Sequence, residues 1–211
     1  MTEDDARAQL QANVSRETLE RLDIYADLLR KWQPAINLVA PSTLQHLFLR
    51  HFLDSAQLTH HVQDQPLTWL DLGSGAGFPG AVCAVVLHDK QPDTTVKLVE
   101  SDQRKSAFLR EVARQTAVLF EVMPARIESL APQQADVISA RALAPLPKLL
   151  SLAFPHLKTN GTCLFQKGAS HQDELASAAA HWHMDVKIHP SVTSQDAVTL
   201  ELRGLRNASP T

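Results

Sequence analysis

Cysteine is scarce in this sequence. The 211 residues contain two, Cys83 and Cys163. They lie far apart in apolar segments and form no C-x-x-C pair. That excludes a disulfide framework and a cysteine redox motif, and leaves buried structural thiols in a reducing compartment. Long hydrophobic runs are also missing. The longest, Ala81–Leu87, is too short to cross a bilayer. The first residues, "MTEDDARAQL", are acidic and lack the apolar core of a signal peptide, so a soluble cytoplasmic protein without a membrane partner is expected. Net positive charge is absent as well. The formal charge of −3 excludes an evenly basic nucleic-acid coat, but not a local basic patch. Neither internal repeats nor low-complexity segments are found.

What remains is the composition of a packed domain, 44% hydrophobic and 20% charged. It falls into two regimes. Residues 1–64 read as a helical extension. In "SRETLERLDIYADLLRKW", Leu19, Leu22, Tyr25, Leu28 or Leu29, and Trp32 share one face, with Ser15 as N-cap. Pro34 interrupts the pattern. "INLVAPST" reads as extended chain entering a turn, and Ser42 as the cap of a further helix, broken near His51. From Pro66 onward, short apolar runs alternate with helical stretches. Such alternation implies βαβ units and a mostly parallel sheet, here over residues 65–205. The last two runs, "MDVKIH" and "AVTLELRG", have no helix between them and should form an antiparallel hairpin. Residues 206–211 read as a frayed tail.

Four of the seven glycines fall in "WLDLGSGAGFPG", Trp69 to Gly80. Counted from Gly75, the stretch is a literal G-x-G-x-x-G, the dinucleotide spacing. Counted from Gly73, it is a G-x-G-x-G turn after an apolar strand, as in S-adenosylmethionine (SAM) methyltransferases. Gly73, Gly75 and Gly77 would let the backbone turn sharply and approach a ligand. Pro79 suits the first turn of the helix that follows. The next strand ends at Glu100, where a carboxylate can accept ribose hydroxyls. Both NAD and SAM carry that ribose. The register favours SAM. With the strand ending at Leu72, Asp71 sits at its tip, where it would repel a pyrophosphate but could face a sulfonium or ammonium group. A strand–helix turn holding no ligand is the remaining alternative.

In this order, "NLVAPST", "RHFLDSA", "DLGSGAGFPG", "LVESDQRKSAFLREV", "ARIESL", "ISARALAPLPKLL" and "FQKG" resemble the bacterial RsmG family, also called GidB. The resemblance spans about Asn37 to Gly168. One departure is "SARA" where the family often has "SRA", with Arg141 as the natural match. The resemblance implies a Rossmann-like class I SAM-dependent methyltransferase fold with a central, mostly parallel seven-stranded sheet and an N-terminal helical extension. It implies transfer of the SAM methyl group to N7 of a guanine in the 530 loop of 16S rRNA, nucleotide 527 in the usual family numbering. It places Gly73, Phe78, Ile127, Glu128 and Arg141 against the cofactor, with Glu100 on the ribose.

The residues suit such chemistry. Guanine N7 carries a lone pair and no proton, so it attacks a sulfonium methyl without a general base. The enzyme's task is positioning, and the sequence shows no evident Cys or His nucleophile near the loop. Arg141 and Lys167, at predicted strand ends, could hold guanine O6 or a neighbouring phosphate and are the candidate catalytic residues. Arg104, Lys105 and Arg126 should project from the same sheet edge and complete a basic rim for RNA. Arg50 and His51 are further candidates, whereas Arg110 and Arg114 are equally well explained as solvated helix charges. His51 and Asp54 lie one helical turn apart, as a hydrogen-bonded pair in a pocket wall or, alternatively, as metal ligands; the first is the expectation, so no metal is assigned. The remaining histidines are scattered and are assigned no chemistry. The partner would be 16S rRNA within the small subunit or its precursor, since structured RNA is recognised by shape and unstacked loops. The protein would act as a monomer, with weak activity on naked RNA. Other readings are a SAM methyltransferase for another substrate, a SAM-binding ribosome-assembly module, and an NAD-dependent oxidoreductase. For the last, no catalytic Tyr–Lys or His–acid constellation is evident.

Overall fold

The computed structural model describes residues 1–65 and 67–208. Helices α1 (Glu3–Asn13) and α2 (Arg16–Trp32) open the chain. Ser15 caps α2 by accepting from the Thr18 amide. "INLVAPST" contains no strand. The Gln33 side chain accepts from the amides of Leu38 and Val39 and donates to the Val39 carbonyl, which curls the segment into a turn. Ser42 caps no helix there; Pro41–Thr43 forms a single 3-10 turn. The chain then winds as a π-helix over Phe48–Leu53, a short α3 (Asp54–Ala56) and a 3-10 turn over Gln57–His61. The expected break at His51 is therefore a change of winding that keeps the axis going.

The second regime supplies β1 (Thr68–Leu72), α4 (Gly80–Lys90), β2 (Thr95–Val99), α5 (Gln103–Thr116), β3 (Glu121–Met123), β4 (Ala135–Arg141), α6 (Leu146–Ala153), β5 (Leu157–Lys167), α7 (His171–Ala179), β6 (Trp182–Pro190) and β7 (Val198–Asn207). The seven strands form one sheet in the order β3-β2-β1-β4-β5-β7-β6. The first five pair in parallel, and β7 lies antiparallel between β5 and β6. The direction of winding reverses between β1 and β4, the place where open α/β sheets bind ligands. Arg206 and Asn207 belong to β7, not to a tail, and the rest of the expected tail beyond Ala208 lies outside the described residues.

Two apolar layers sandwich the sheet. On one face Trp69, Val96 and Leu98 pack with Leu22, Tyr25 and Leu29 of α2, Val82 and Val85 of α4, and Phe108 of α5. On the other, Leu70, Leu72, Ile138 and Phe165 pack with Leu146, Leu149 and Leu150 of α6. The N-terminal helices thus share a core with the sheet. Side chains alternate along a strand, so Trp69 and Asp71 face the first layer while Leu70 and Leu72 face the second.

Candidate active site

The glycine loop leaves β1 and returns into α4. Gly73 has φ +65° and Gly77 φ +95°, backbone conformations that a side chain resists. A Cβ on Gly73 would stand 2.5 Å from the Leu143 side chain, and one on Gly77 would collide with the Tyr25 hydroxyl. That hydroxyl donates to the Ala76 carbonyl, so α2 supports the loop from below. The Ser74 amide donates to the Val99 carbonyl at 3.0 Å. Glu100, just past β2, is buried and holds two backbone amides. Its Oε2 accepts from Gly75 at 2.8 Å and its Oε1 from Asp102 at 2.7 Å. Beside it opens a cavity of about 320 Å³ lined by Gly73, Gly75, Glu100, Lys105, Ile127 and Glu128, with Arg126 at its border.

A second cavity of about 430 Å³ lies between the N-terminal segment and the ends of β4 and β5. Its hub is Asp54. One carboxylate oxygen accepts from Gln57 Nε2 at 3.0 Å, Thr193 Oγ1 at 2.9 Å and Ser191 Oγ at 3.3 Å. The other accepts from Gln166 Nε2 at 2.9 Å and Arg141 Nη1 at 3.3 Å. Arg141 also reaches the Arg50 carbonyl and lies over the Phe78 ring, 5.0 Å from its centre. Its Nη2 stands 2.9 Å from Nδ1 of His51. An arginine only donates, so Nδ1 accepts and Nε2–H donates to Thr43 Oγ1 at 2.8 Å. Burial first, then the charges of Arg141 and Arg50, push the His51 pKa down to about 3. Lys167 donates to the Ala144 carbonyl at 2.8 Å and to Glu174 at 2.7 Å. Gln166 Oε1 is buried and has no partner among the described residues. Ala142 and Leu143 line both cavities, so the two adjoin there.

Several expected positions change. Asp71 does not face a ligand. It is fully buried on the α4 face, pressed against Gly80, and accepts from the Ser139 hydroxyl. The strand's alternation turns it away from the cavity, whose walls Val99, Ile127 and Leu152 belong to the opposite layer. Burial pushes its pKa up to about 6 against the Ser139 hydrogen bond. Gly77 and Phe78 also line neither cavity; Phe78 stacks on His51 at 4.6 Å and joins the aromatic layer with Tyr25 and Phe52. Arg141 borders the second cavity, not the one beside Glu100. His51 and Asp54 do not bond to each other; Arg141 holds both. The basic rim is divided. Lys105 and Arg126 flank the first cavity, Arg104 is exposed beside Asp102, and Arg141 and Lys167 are each paired with a carboxylate, Asp54 and Glu174. Gln57, Ser191 and Thr193 lie in none of the motifs that carry the resemblance, whereas Gln166 lies within "FQKG" but has no role assigned from sequence.

Residues 18–202 match the family model described as "rRNA small subunit methyltransferase G". A "Ribosomal RNA small subunit methyltransferase G" of Cereibacter sphaeroides (strain ATCC 17029 / ATH 2.4.9) is 52% identical over 97% of this chain and 98% of its own. One from Paramagnetospirillum magneticum is 54% identical over 91% of each chain. Among solved structures, a SAM-dependent methyltransferase from Aquifex aeolicus superposes with TM-score 0.58 at 14% identity, over 84% of this chain and 97% of that one. TYW2 of M. jannaschii, in complex with AdoMet, gives 0.57 at 12% identity over 75% and 77%. At such identities these two show a common fold.

Proposed function

The chain belongs to the rRNA small subunit methyltransferase G family, a family of methyltransferases, and from that premise we propose that it transfers a methyl group from SAM to N7 of a guanine in the 530 loop of 16S rRNA. The observation that carries the assignment of roles is the pair of cavities meeting at Ala142 and Leu143. The first suits the nucleoside of SAM. Glu100 is buried, fixed by two amides, and retains carboxylate lone pairs for ribose hydroxyls. Ile127 and Glu128 line the wall beside it. SAM supplies a methyl group on a sulfonium, an electrophile that an uncharged ring nitrogen attacks directly.

The chain's own residues then have to present that nitrogen. In the second cavity, Gln166 Oε1 accepts from the N1–H or amino edge of guanine. Lys167 has three donors and uses two on Ala144 and Glu174, leaving one for O6. Arg141 acts from the mouth, on O6 or a phosphate. Arginine ordinarily pairs with O6 and N7 together; its tether to Asp54 and His51 restricts that grip and keeps N7 free. Alignment of N7 with the methyl group is the main catalytic contribution, and the base must leave its stack to enter. Lys105 and Arg126 border the first cavity for RNA phosphates, with exposed Arg104 nearby on the same helix as Lys105. The protein acts as a cytoplasmic monomer on the small subunit or its precursor.

Labelled methyl transfer from SAM to purified small subunits lacking the modification, followed by nucleoside digestion, is the test. The expected product is 7-methylguanosine. SAM binding without transfer would instead favour a ribosome-assembly role.

A further inference from the structure

Methyl transfer leaves one cluster of side chains unused. His61 ends the 3-10 turn of the N-terminal segment, His189 lies on β6 and Glu201 on β7. The two imidazole rings stack with centres 4.0 Å apart and 26° between their planes. His189 Nε2 stands 2.8 Å from Glu201 Oε2, and Arg203 Nε holds the other carboxylate oxygen at 2.8 Å. One nitrogen from each histidine and one oxygen of Glu201 lie within 4.8 Å of one another. Glu201 is buried and both histidines are half-buried. None of the three lines either cavity of the candidate active site.

We infer that His61, His189 and Glu201 form a binding site for one zinc ion, which fastens the N-terminal helical segment to the antiparallel edge of the sheet. Two imidazoles and one carboxylate are a zinc donor set, with water completing the tetrahedron. Bonds of about 2.0–2.1 Å place tetrahedral ligands roughly 3.4 Å apart. Closing from the present spread needs about 1.4 Å of movement at most, within reach of side-chain rotation at half-buried His61. Calcium and magnesium are poor candidates. They require several oxygen ligands, whereas this site has one carboxylate with Arg203 and Lys187 beside it. Arg203 instead fixes the carboxylate, as outer-shell partners of metal ligands do. His61 lies far in sequence from the hairpin that carries His189 and Glu201, which is why no short motif marks the set.

The test uses the untagged full-length protein, stripped with chelator and titrated with zinc chloride by calorimetry and thermal melting. One zinc per chain with a Kd in the micromolar range or below is expected, with a raised melting temperature. His61→Ala and His189→Ala should each weaken binding by about tenfold or more with an unchanged circular dichroism spectrum. Half-buried His61 is the safer variant should His189→Ala not fold. Cobalt substituted for zinc should give the absorption of a tetrahedral site in the native protein and lose it in His61→Ala. Absence of binding at roughly 100 μM zinc, some hundredfold above the expected Kd, would overturn the inference. So would unchanged affinity in His61→Ala.

Discussion

Arg141 donates to Asp54 across 3.3 Å, and through that contact the end of β4 grips the N-terminal segment. Family resemblance would put Arg141 on the cofactor, but it borders the other cavity. Arg141→Ala should therefore lower methylation of small subunits by roughly a hundredfold or more, the loss expected when a positioning contact to the reacting base is removed. The Kd for SAM, read by calorimetry, should stay within about threefold, less than 1 kcal/mol. A tenfold weaker Kd would return Arg141 to the cofactor. Stability should fall by about 2 kcal/mol, less than the roughly 3–5 kcal/mol of a buried pair broken outright, because Asp54 keeps four other donors.

Glu100 holds the loop as well as the proposed ribose. Glu100→Ala releases the amides of Gly75 and Asp102. Lost hydrogen bonds to a charged group are worth about 1.5–3 kcal/mol, so the Kd for SAM should rise by about tenfold to a hundredfold. Glu100→Gln should lie between native and Ala, and equal affinity in all three proteins would remove Glu100 from the site.

His51 makes the protein acid-sensitive. Its folded pKa is about 3 against an ordinary 6.5, because burial and Arg141 oppose the charged ring. A base with a depressed folded pKa loses stability as pH falls below its unfolded value. Each unit of such difference is worth about 1.4 kcal/mol. Between pH 6.5 and 4 the native chain should lose up to about 3 kcal/mol relative to His51→Gln, measured by urea denaturation at each pH.

Asp71 works in the opposite direction. Burial raises its folded pKa to about 6 from 3.8. The folded state then holds its proton more tightly than the unfolded state, so stability falls as pH rises from about 4 to 6. Asp71→Asn should lack that slope, and the native-minus-variant difference should change by about 2–3 kcal/mol across the window. Equal slopes in both proteins would mean that Asp71 stays ionised down to its ordinary range.

Parts of this architecture can be read from local pattern, and parts cannot. β1, its glycine loop and the acid ending β2 are contiguous signals, and they place the first cavity. The Ser15 cap and the apolar face of α2 are equally local. The second cavity is not legible in that way. Its hub collects donors from Gln57, Arg141, Gln166, Ser191 and Thr193, brought together by the insertion of β7 beside β5. A hairpin pattern predicts that β6 and β7 pair, but not which of them lies inward. Asp71 is a different kind of miss. Nearness to the loop suggests a ligand-facing acid, whereas strand periodicity puts Asp71 on the same buried face as Trp69 two residues earlier. Without it, the local electrostatic preference for SAM over a dinucleotide lapses, and family membership carries that choice.

Tyr25 is the chain's single tyrosine. It lies fully buried under the glycine loop, bonded to Ala76 and stacked on Phe78. Burial raises its hydroxyl pKa well above the usual value, so the group stays protonated. Fluorotyrosine incorporated biosynthetically would consequently give one resonance from one place. Its chemical shift would follow the floor of the loop during titrations, free of overlap from the rest of the molecule.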